Sequence, residues 1–324
     1  MVGPIAKALL LVVAATAVAR ADEPTGDNPD APPPKKTDEE NAAGPPRRPD
    51  LTVRQVMRGP FRSSRLFSMP TTDVIGAYML SLSGDGSLLQ ETGLLTSAGV
   101  LAIGFGDIAQ LEYRHTSAIS VTGVNAPLPG VGVQLKIPLP EHDAVPALGV
   151  AFRLGVPRRE DFDGVFVDEK VSDLYFVGRL HWSRVDWLTL HGGTRISSAS
   201  VSLGGDGAGS AKKTMYLPTA GYDIAMSEQS HIVGEIAAAP QFRWTPGSTE
   251  PPTIGYGLLG RLGVRWAVLP SVIIDGSIGY QLEVAHSRLA SGPDDVVHWD
   301  IRLGAEVFVP WGALACRATG AFCD

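Results

Sequence analysis

About twelve segments of the chain alternate between apolar residues and polar or small residues, and the connections between them are by turns long and short. Alternating segments of roughly ten residues, separated by turns, are typical of strands that cross a membrane as a closed barrel. The pattern therefore predicts an all-β fold, a transmembrane antiparallel up-and-down β-barrel of about 12 strands. The predicted strands are residues 71–83, 98–105, 107–117, 131–139, 145–156, 173–182, 186–197, 212–226, 231–244, 253–268, 271–284 and 297–309.

The lengths of the connections predict the orientation of this barrel. The odd-numbered connections are long and the even-numbered ones short. A chain that starts on the periplasmic side makes its odd-numbered connections outside the cell, and bacterial barrels keep their periplasmic turns short. A soluble β-sandwich has no reason to sort its loops in this way, so the pattern disfavours that alternative.

The side-chain period separates a lipid face from a lumen face. In residues 145–156, Leu148 and Phe152 fall on one face, whereas Gly149 and Arg153 fall on the other, because successive strand residues point to opposite sides. The same split recurs in the tenth and twelfth predicted strands. Regularly placed small and charged residues are excluded from the core of a soluble β-protein. We therefore predict an apolar outer face and a polar interior.

The first residues predict export. Lys7 precedes an apolar run over residues 8–18, and Ala19-Arg20-Ala21 supplies a small-x-small cleavage site. We expect residues 1–21 to be a signal peptide, because the run is too short to cross about 30 Å of hydrocarbon as a helix.

The next segment, residues 22–70, is expected to be a Pro-rich periplasmic arm or linker. Residues 22–50 contain eight prolines and almost no large apolar residue, which predicts disorder. Residues 51–68 leave two interpretations open, a plain linker or a short amphipathic or plugging segment. The second rests on four basic residues, Arg54, Arg58, Arg62 and Arg65.

The remaining length corresponds to one barrel domain, residues 71–309, followed by a periplasmic tail, residues 310–324. The tail contains Cys316 and Cys323, and an oxidising periplasm favours a disulfide between them. A metal site would need more ligands than this pair offers, so we expect no metal and no cofactor. A net charge of −7 spread over arm and loops gives no indication of nucleic acid as a partner.

The last predicted strand carries a short motif. Arg302 is followed by Gly304 and then by Val307 and Val309, a polar residue, a glycine two positions later, and apolar residues three and five positions beyond it. With the signal peptide and the alternating loop lengths, this motif resembles a Gram-negative outer-membrane β-barrel protein. The resemblance implies a location in the bacterial outer membrane, contact with its lipid, and recognition of these four residues by the barrel assembly machinery. It concerns an architecture, which hosts many functions.

The charges predicted to face the lumen suggest a function. Cations fall on the inner face of four consecutive strands, and others extend the set: Lys136, Arg153, Arg179, Arg195, Arg243, Arg261 and Arg265. Clustered cations in a narrow passage attract anions and repel cations. They predict a porin-like narrow channel or passive transporter with a mild preference for a small anionic solute.

Two alternatives remain open. In the first, carboxylates pair with the cations and fill the lumen, which would leave a structural or surface-binding barrel. These carboxylates are Glu112, Asp173, Glu235, Asp275, Glu283, Asp300 and Glu306.

The second alternative is a lipid-facing hydrolase. His115 and Ser117 share a face of the third predicted strand and resemble the His-x-Ser arrangement of outer-membrane phospholipase and lipid-A deacylase barrels. The resemblance implies His115 as general base and Ser117 as nucleophile. However, Ala118 replaces the asparagine that follows the serine in the phospholipase motif. An interfacial position explains His115 more simply, so we expect no enzyme activity.

Overall fold

The computed structural model describes residues 63–90, 99–116, 128–139, 146–162, 164–205, 209–244, 250–269, 271–282 and 299–319. The predicted signal peptide and residues 22–62 of the predicted arm lie outside these ranges. No helix in the described ranges is both long and apolar enough to span a membrane.

Thirteen strands and one helix make up the described chain. They are β1 (Leu80–Gln90), β2 (Gly99–Phe105), β3 (Ala109–Thr116), β4 (Leu128–Ile137), β5 (Ala147–Gly155), β6 (Arg158–Phe162), β7 (Val165–Trp182), β8 (Val185–Gly205), β9 (Ser210–Ser227), β10 (Ser230–Arg243), β11 (Thr253–Leu269), β12 (Val272–Leu282), β13 (Trp299–Val309) and α1 (Trp311–Thr319).

The strands form a closed antiparallel barrel. Apart from β5 and β6, each strand pairs with its chain neighbours, and β13 closes the ring by pairing with β1 from Leu80 opposite Val309 to Gln90 opposite Asp300. Strands β5 and β6 both pair with β7 and act as one interrupted strand. With β5 and β6 counted as one, the barrel has 12 strands, which confirms the predicted fold class.

The outer and inner faces follow the predicted alternation. Along β5, Phe152 and Leu154 are about half exposed on the outside, whereas Ala151 and Arg153 are buried inside. Aromatic rings such as Trp266 also lie on the outer surface. An apolar outer band around a polar interior is the arrangement of a barrel that is surrounded by lipid.

The first strand differs from its prediction. It was predicted over residues 71–83, but β1 begins at Leu80 and extends to Gln90. Residues 63–75 instead run through the lumen. Pro70 and Asp73 are poor strand residues, so the composition of this stretch agrees with its position away from the barrel wall.

Two connections that were predicted to be long external loops, residues 157–172 and 198–211, are largely strand. Here β6, β7, β8 and β9 extend the sheet beyond the level at which the lipid face ends. The extension is ordered because its inner face carries alternating apolar residues, among them Val167, Val171 and Val201, that are buried.

A hydrophobic cluster, here the outer cluster, covers the inner face of this extension. The β9–β10 ladder ends at Thr219 opposite Ala237, and the upper part of the β10–β11 hairpin packs against β7, β8 and β9. Arg195 Nη1 donates to Ala238 O at 3.2 Å, just beyond the end of that ladder. The outer cluster consists of Val167, Val171, Ala199, Val201, Met215, Leu217, Ala238, Phe242, Trp244 and Ile254.

The tail begins with helix α1, which the sequence analysis did not predict. Gly312 N donates to Tyr78 O at 3.2 Å, and the Tyr78 and Trp311 rings meet edge to face. These contacts hold the start of the helix beside the entry to β1. Cys316 lies on α1, and Cys323 lies outside the described residues, so their pairing stays a prediction.

Candidate functional site: an occupied lumen

The lumen is occupied by residues 63–75, here the luminal segment. Its first part is a tight hairpin, in which Leu66 N donates to Met69 O at 2.9 Å and Thr71 N donates to Ser64 O at 3.0 Å. Thr71 Oγ1 also donates to Ser63 O at 2.6 Å. The hairpin therefore satisfies part of its own backbone, and the remaining groups bind the barrel wall.

Glu235 on β10 binds the turn of the hairpin. Its carboxylate accepts the backbone N–H groups of Phe67, Ser68 and Met69 at 3.0 to 3.2 Å. It also accepts the Ser68 hydroxyl at 2.7 Å. Hydrogen bonds to an ionised acceptor are stronger than neutral ones, so this buried carboxylate is a strong anchor for the segment.

Arg265 on β11 binds the carbonyls of the same hairpin. Its guanidinium donates to Arg65 O at 3.2 Å and to Leu66 O at 2.7 Å. The ring of Phe67 lies near the guanidinium groups of Arg261 and Arg265. The segment thus meets a carboxylate at its amides and a cation at its carbonyls.

An apolar contact supports these polar ones. Leu66 and Met69 are each 1 % exposed, and with Phe67 they pack against wall residues in one cluster. The wall residues are Ala151, Tyr175, Val177 and Val233. At this level the lumen contains packed side chains.

Two glutamines on neighbouring strands hold the rest of the luminal segment. Gln134 Nε2 donates to the carbonyls of Ser64, Thr71 and Asp73 at 2.7 to 3.0 Å. Gln110 Oε1 accepts Ile75 N at 3.0 Å. Both glutamines face the lumen and are almost fully buried.

The carboxylate of the segment meets two predicted lumen cations. Asp73 forms an ion pair with Arg179 on β7, and its other oxygen lies 3.8 Å from Lys136 Nζ on β4. Within the described residues, the luminal segment thus supplies a carboxylate to the basic side of the wall.

A glycine makes room for the segment where it approaches the wall most closely. A Cβ at Gly104 on β2 would overlap the carbonyl oxygens of Ile75 and Gly76. The absence of a side chain at this position is therefore a requirement of the occupied lumen.

Charges of the wall are largely neutralised within the wall itself. Arg153 Nε donates to Glu112 at 2.6 Å, and Arg195 binds both oxygens of Asp173 at 2.8 and 2.9 Å. The Tyr175 ring lies between the two guanidinium groups.

The structure places six of the seven predicted lumen cations on the inner face. Arg261 donates to Ser277 Oγ at 3.0 Å, and Lys136, Arg153, Arg179, Arg195 and Arg265 make the contacts described above. Arg243 lies at the end of β10, and its side chain is outside the described residues. Carboxylates bind several of these cations, so the inner wall carries both positive and negative charges.

The predicted carboxylates also face inward where they are described. Glu306 accepts a hydrogen bond from Ser81, Asp275 lies beside Gly304, and Glu112, Asp173 and Glu235 bind as given above. Glu283 and the side chain of Asp300 lie outside the described residues.

Gln110 and Gln134, which bind the segment through uncharged groups, were not among the predicted site residues, and neither was Asp73. The predicted plugging segment ended at residue 68. Signals were nevertheless present, because both glutamines occupy lumen-facing positions and the stretch assigned to the first strand contains Pro70 and Asp73.

The predicted hydrolase pair is only partly described. His115 lies on β3 opposite Pro129, but its side chain and the whole of Ser117 are outside the described residues. Within the described ranges, no group of three or more His, Cys, Asp or Glu side chains is arranged to hold a metal ion.

No protein-family model and no curated protein matches the chain. Among solved structures, it is similar to a KdgM porin in complex with disordered oligogalacturonate, at 12 % identity over 71 % of this chain and 98 % of that one, with a TM-score of 0.38. It is also similar to the translocator domain of autotransporter NalP from Neisseria meningitidis, at 14 % identity over 71 % and 86 %, with a TM-score of 0.40. A third is outer-membrane expressed OmpT of Vibrio cholerae, at 9 % identity over 71 % and 77 %, with a TM-score of 0.36. These likenesses concern the fold alone.

The fold itself gives the class and location of the protein. An antiparallel barrel that closes on itself, with an apolar outer face and a polar interior, is the architecture of the bacterial outer membrane. The chain is an outer-membrane β-barrel protein.

Proposed function

We propose that the protein is an outer-membrane channel that its own luminal segment closes at rest and that conducts small solutes when the segment is displaced. The observation that carries this proposal is how the segment is held. Glu235, Arg265 and Gln134 bind its backbone through hydrogen bonds. Water can replace each of these hydrogen bonds when the segment leaves. The apolar contacts of Leu66, Phe67, Met69 and Ile75 with the wall are lost at the same time.

The polar wall supports the same proposal. Buried ion pairs beside the segment, such as Arg153 with Glu112, would line a hydrated passage if the segment moved away. Buried ion pairs are often no more stabilising than well-packed apolar residues, so stability alone does not explain why the wall is charged.

The preference for small anions belongs to this proposal. Displacing the segment removes the Asp73 carboxylate from Lys136 and Arg179. The charge balance near these two cations then becomes more positive, which favours anions in a narrow passage.

Reversal potentials in a salt gradient test the channel and its selectivity. We expect open events of the wild type to favour chloride over potassium, and the double variant Lys136→Glu with Arg179→Glu to favour potassium. The difference in selectivity should be larger in dilute salt, because the Debye length is then longer and the lumen charges are less screened. Arg159→Glu is the matched control, since its side chain is 66 % exposed outside the lumen. Open events with the same selectivity in all three proteins would reject the anion preference and leave the channel intact.

A second candidate function is a permanently filled barrel that acts as a structural or surface-binding protein. The outer cluster favours it, because packed apolar side chains fill the inner face of the strand extension. Absence of any conductance, even after the segment has been displaced, would establish this candidate instead.

We propose that the chain reaches the membrane by export in a Gram-negative cell, with residues 1–21 as signal peptide and the barrel assembly machinery acting on β13. The position of β13 supports this, since it closes the barrel against β1 and exposes Val307 to lipid. We also propose the Cys316–Cys323 disulfide. Non-reducing mass spectrometry of the mature protein should find no free thiol.

A further inference from the structure

The outer surface of the strand extension carries two lysines on one rung of the sheet. Ser200 on β8 pairs with Lys170 on β7 and with Lys212 on β9. All three residues lie on the face that also carries Phe176 and Tyr216, which are exposed to lipid. We name Lys170, Ser200 and Lys212 the lysine rung.

The height of the lysine rung follows from the apolar residues below it. Outward positions of β7 are apolar or glycine from Trp182 up to Leu174, and Ser172 is the first polar one. A strand needs about 9 to 11 residues to cross the hydrocarbon, which is close to the length from Trp182 to Leu174. The lysine rung therefore lies just above the hydrocarbon, at the level of the lipid headgroups.

This end of the barrel is the one that faces outside the cell. Two-residue connections such as 183–184 and 228–229 lie at the opposite end, together with the start of β1 and the end of β13. Short turns and both barrel termini are periplasmic features. The headgroups at the lysine rung are therefore those of the outer leaflet.

Hydroxyl groups surround the two lysines. The rung directly below consists of Ser172, Ser198 and Thr214, which the register places side by side. Tyr216 follows on β9 at the edge of the apolar band and is 75 % exposed. A hydroxyl layer between two cations and an aromatic ring suits a ligand that is anionic and hydrogen-bonding at one end and apolar at the other.

The charges of the lysine rung are available for a ligand. Neither Lys170 nor Lys212 has a hydrogen bond or ion pair in the part of the chain that the structure describes. The carboxylate on the next rung, Asp168, is bound by both ends of the Arg159 guanidinium at 2.9 and 2.7 Å. The nearest described outward acid is thus already engaged by another cation.

We propose that the lysine rung binds the phosphate groups of an anionic lipid headgroup in the outer leaflet. Only β8 lies between the strands of Lys170 and Lys212, so two interstrand spacings separate their Cα atoms by about 10 Å. Their long side chains can close this gap around one phosphate or bridge between two. The hydroxyls of Ser200 and of the rung below then donate hydrogen bonds to phosphate or sugar oxygens. This proposal does not depend on whether the lumen conducts.

Native mass spectrometry of the full chain in detergent tests the proposal with three lipids: a bisphosphorylated glycolipid of the lipid A type, the same glycolipid without phosphates, and phosphatidylcholine. The wild type should retain the phosphorylated glycolipid and release the other two. Lys170→Gln with Lys212→Gln should weaken retention roughly 10- to 30-fold, since each lysine near an anionic surface contributes about a factor of five.

Lys213→Gln is the matched control on the same strand. Lys213 points inward, where its Nζ donates to Ile254 O at 3.1 Å, and its loss should leave lipid retention unchanged. Inorganic phosphate at the lipid concentration should not displace the glycolipid if the site recognises a membrane headgroup. Equal retention of phosphorylated and dephosphorylated glycolipid, equal retention by wild type and the double variant, or displacement by inorganic phosphate would overturn the proposal.

Discussion

At the residue scale, Glu235 illustrates both what the sequence predicts and what it does not. Period-2 alternation correctly places its carboxylate inside the barrel. The expectation that such acids pair with arginines is wrong for the contacts seen at Glu235, because the carboxylate accepts backbone N–H groups of a turn 166 to 168 residues away. No local pattern links residues at that separation, so the partner became visible only in the fold.

Replacing Glu235 with alanine should release the turn of the luminal segment. The change leaves buried N–H groups without an acceptor, at about 1–3 kcal/mol for each group. Amide hydrogen exchange at residues 67–69 should therefore become faster. Glu306→Ala is the control, since Glu306 accepts from Ser81 in the wall. Unchanged exchange at these amides in Glu235→Ala would show that the carboxylate is not their anchor.

Gly104 gives a second prediction at this scale. Gly104→Ala puts a methyl group against the carbonyls of residues 75 and 76, so the segment has to move away from β2. We expect faster exchange at Ile75 and a lower melting temperature. In Gly260→Ala the nearest atom to the new Cβ is 3.9 Å away, and both quantities should stay at their wild-type values. Equal behaviour of the two variants would contradict the close approach.

At the element scale, the strand extension shows the limit of reading strands from lipid-facing patterns. The predicted strands leave residues 157–172 and 198–211 as loops. In the structure the inward residues of β7, β8 and β9 remain apolar, because the β10–β11 hairpin covers them. The element that covers them is distant in sequence, so the alternation alone did not distinguish an extended strand from a loop.

The outer cluster should be essential for this extension. Phe242 is 1 % exposed in the cluster, so Phe242→Ala should cost about 3–5 kcal/mol of local stability and open the hairpin to proteolysis. Phe176→Ala removes the same ring from the lipid face, where Phe176 is 46 % exposed, and should leave the digestion pattern unchanged. Resistance of Phe242→Ala to protease would show that the hairpin is held by other contacts.

At the scale of the whole molecule, the architecture was predictable and the state of the lumen was not. Strand number, closure and the two faces follow from period 2 and from strand length, which are local properties. Whether the lumen is open depends on residues 63–75. Asp73 of this segment binds Arg179 on β7, and Ser68 binds Glu235 on β10, so the segment connects separate parts of the barrel wall. The sequence left open whether residues 51–68 are a linker or a plug and whether ion pairs fill the lumen. In the structure, residues 63–75 occupy the lumen beside ion pairs of the wall.

Single-channel current in a planar bilayer tests the central claim, that the luminal segment closes a passage that can open. The double variant Asp73→Lys with Glu235→Lys should repel the segment from Lys136 and Arg179 and remove its anchor. Heat-modifiable migration in electrophoresis verifies that the barrel has folded. We expect a wild type that is closed most of the time and a double variant with long-lived open levels. A wild type that is steadily open, or a folded double variant that never conducts, would contradict it.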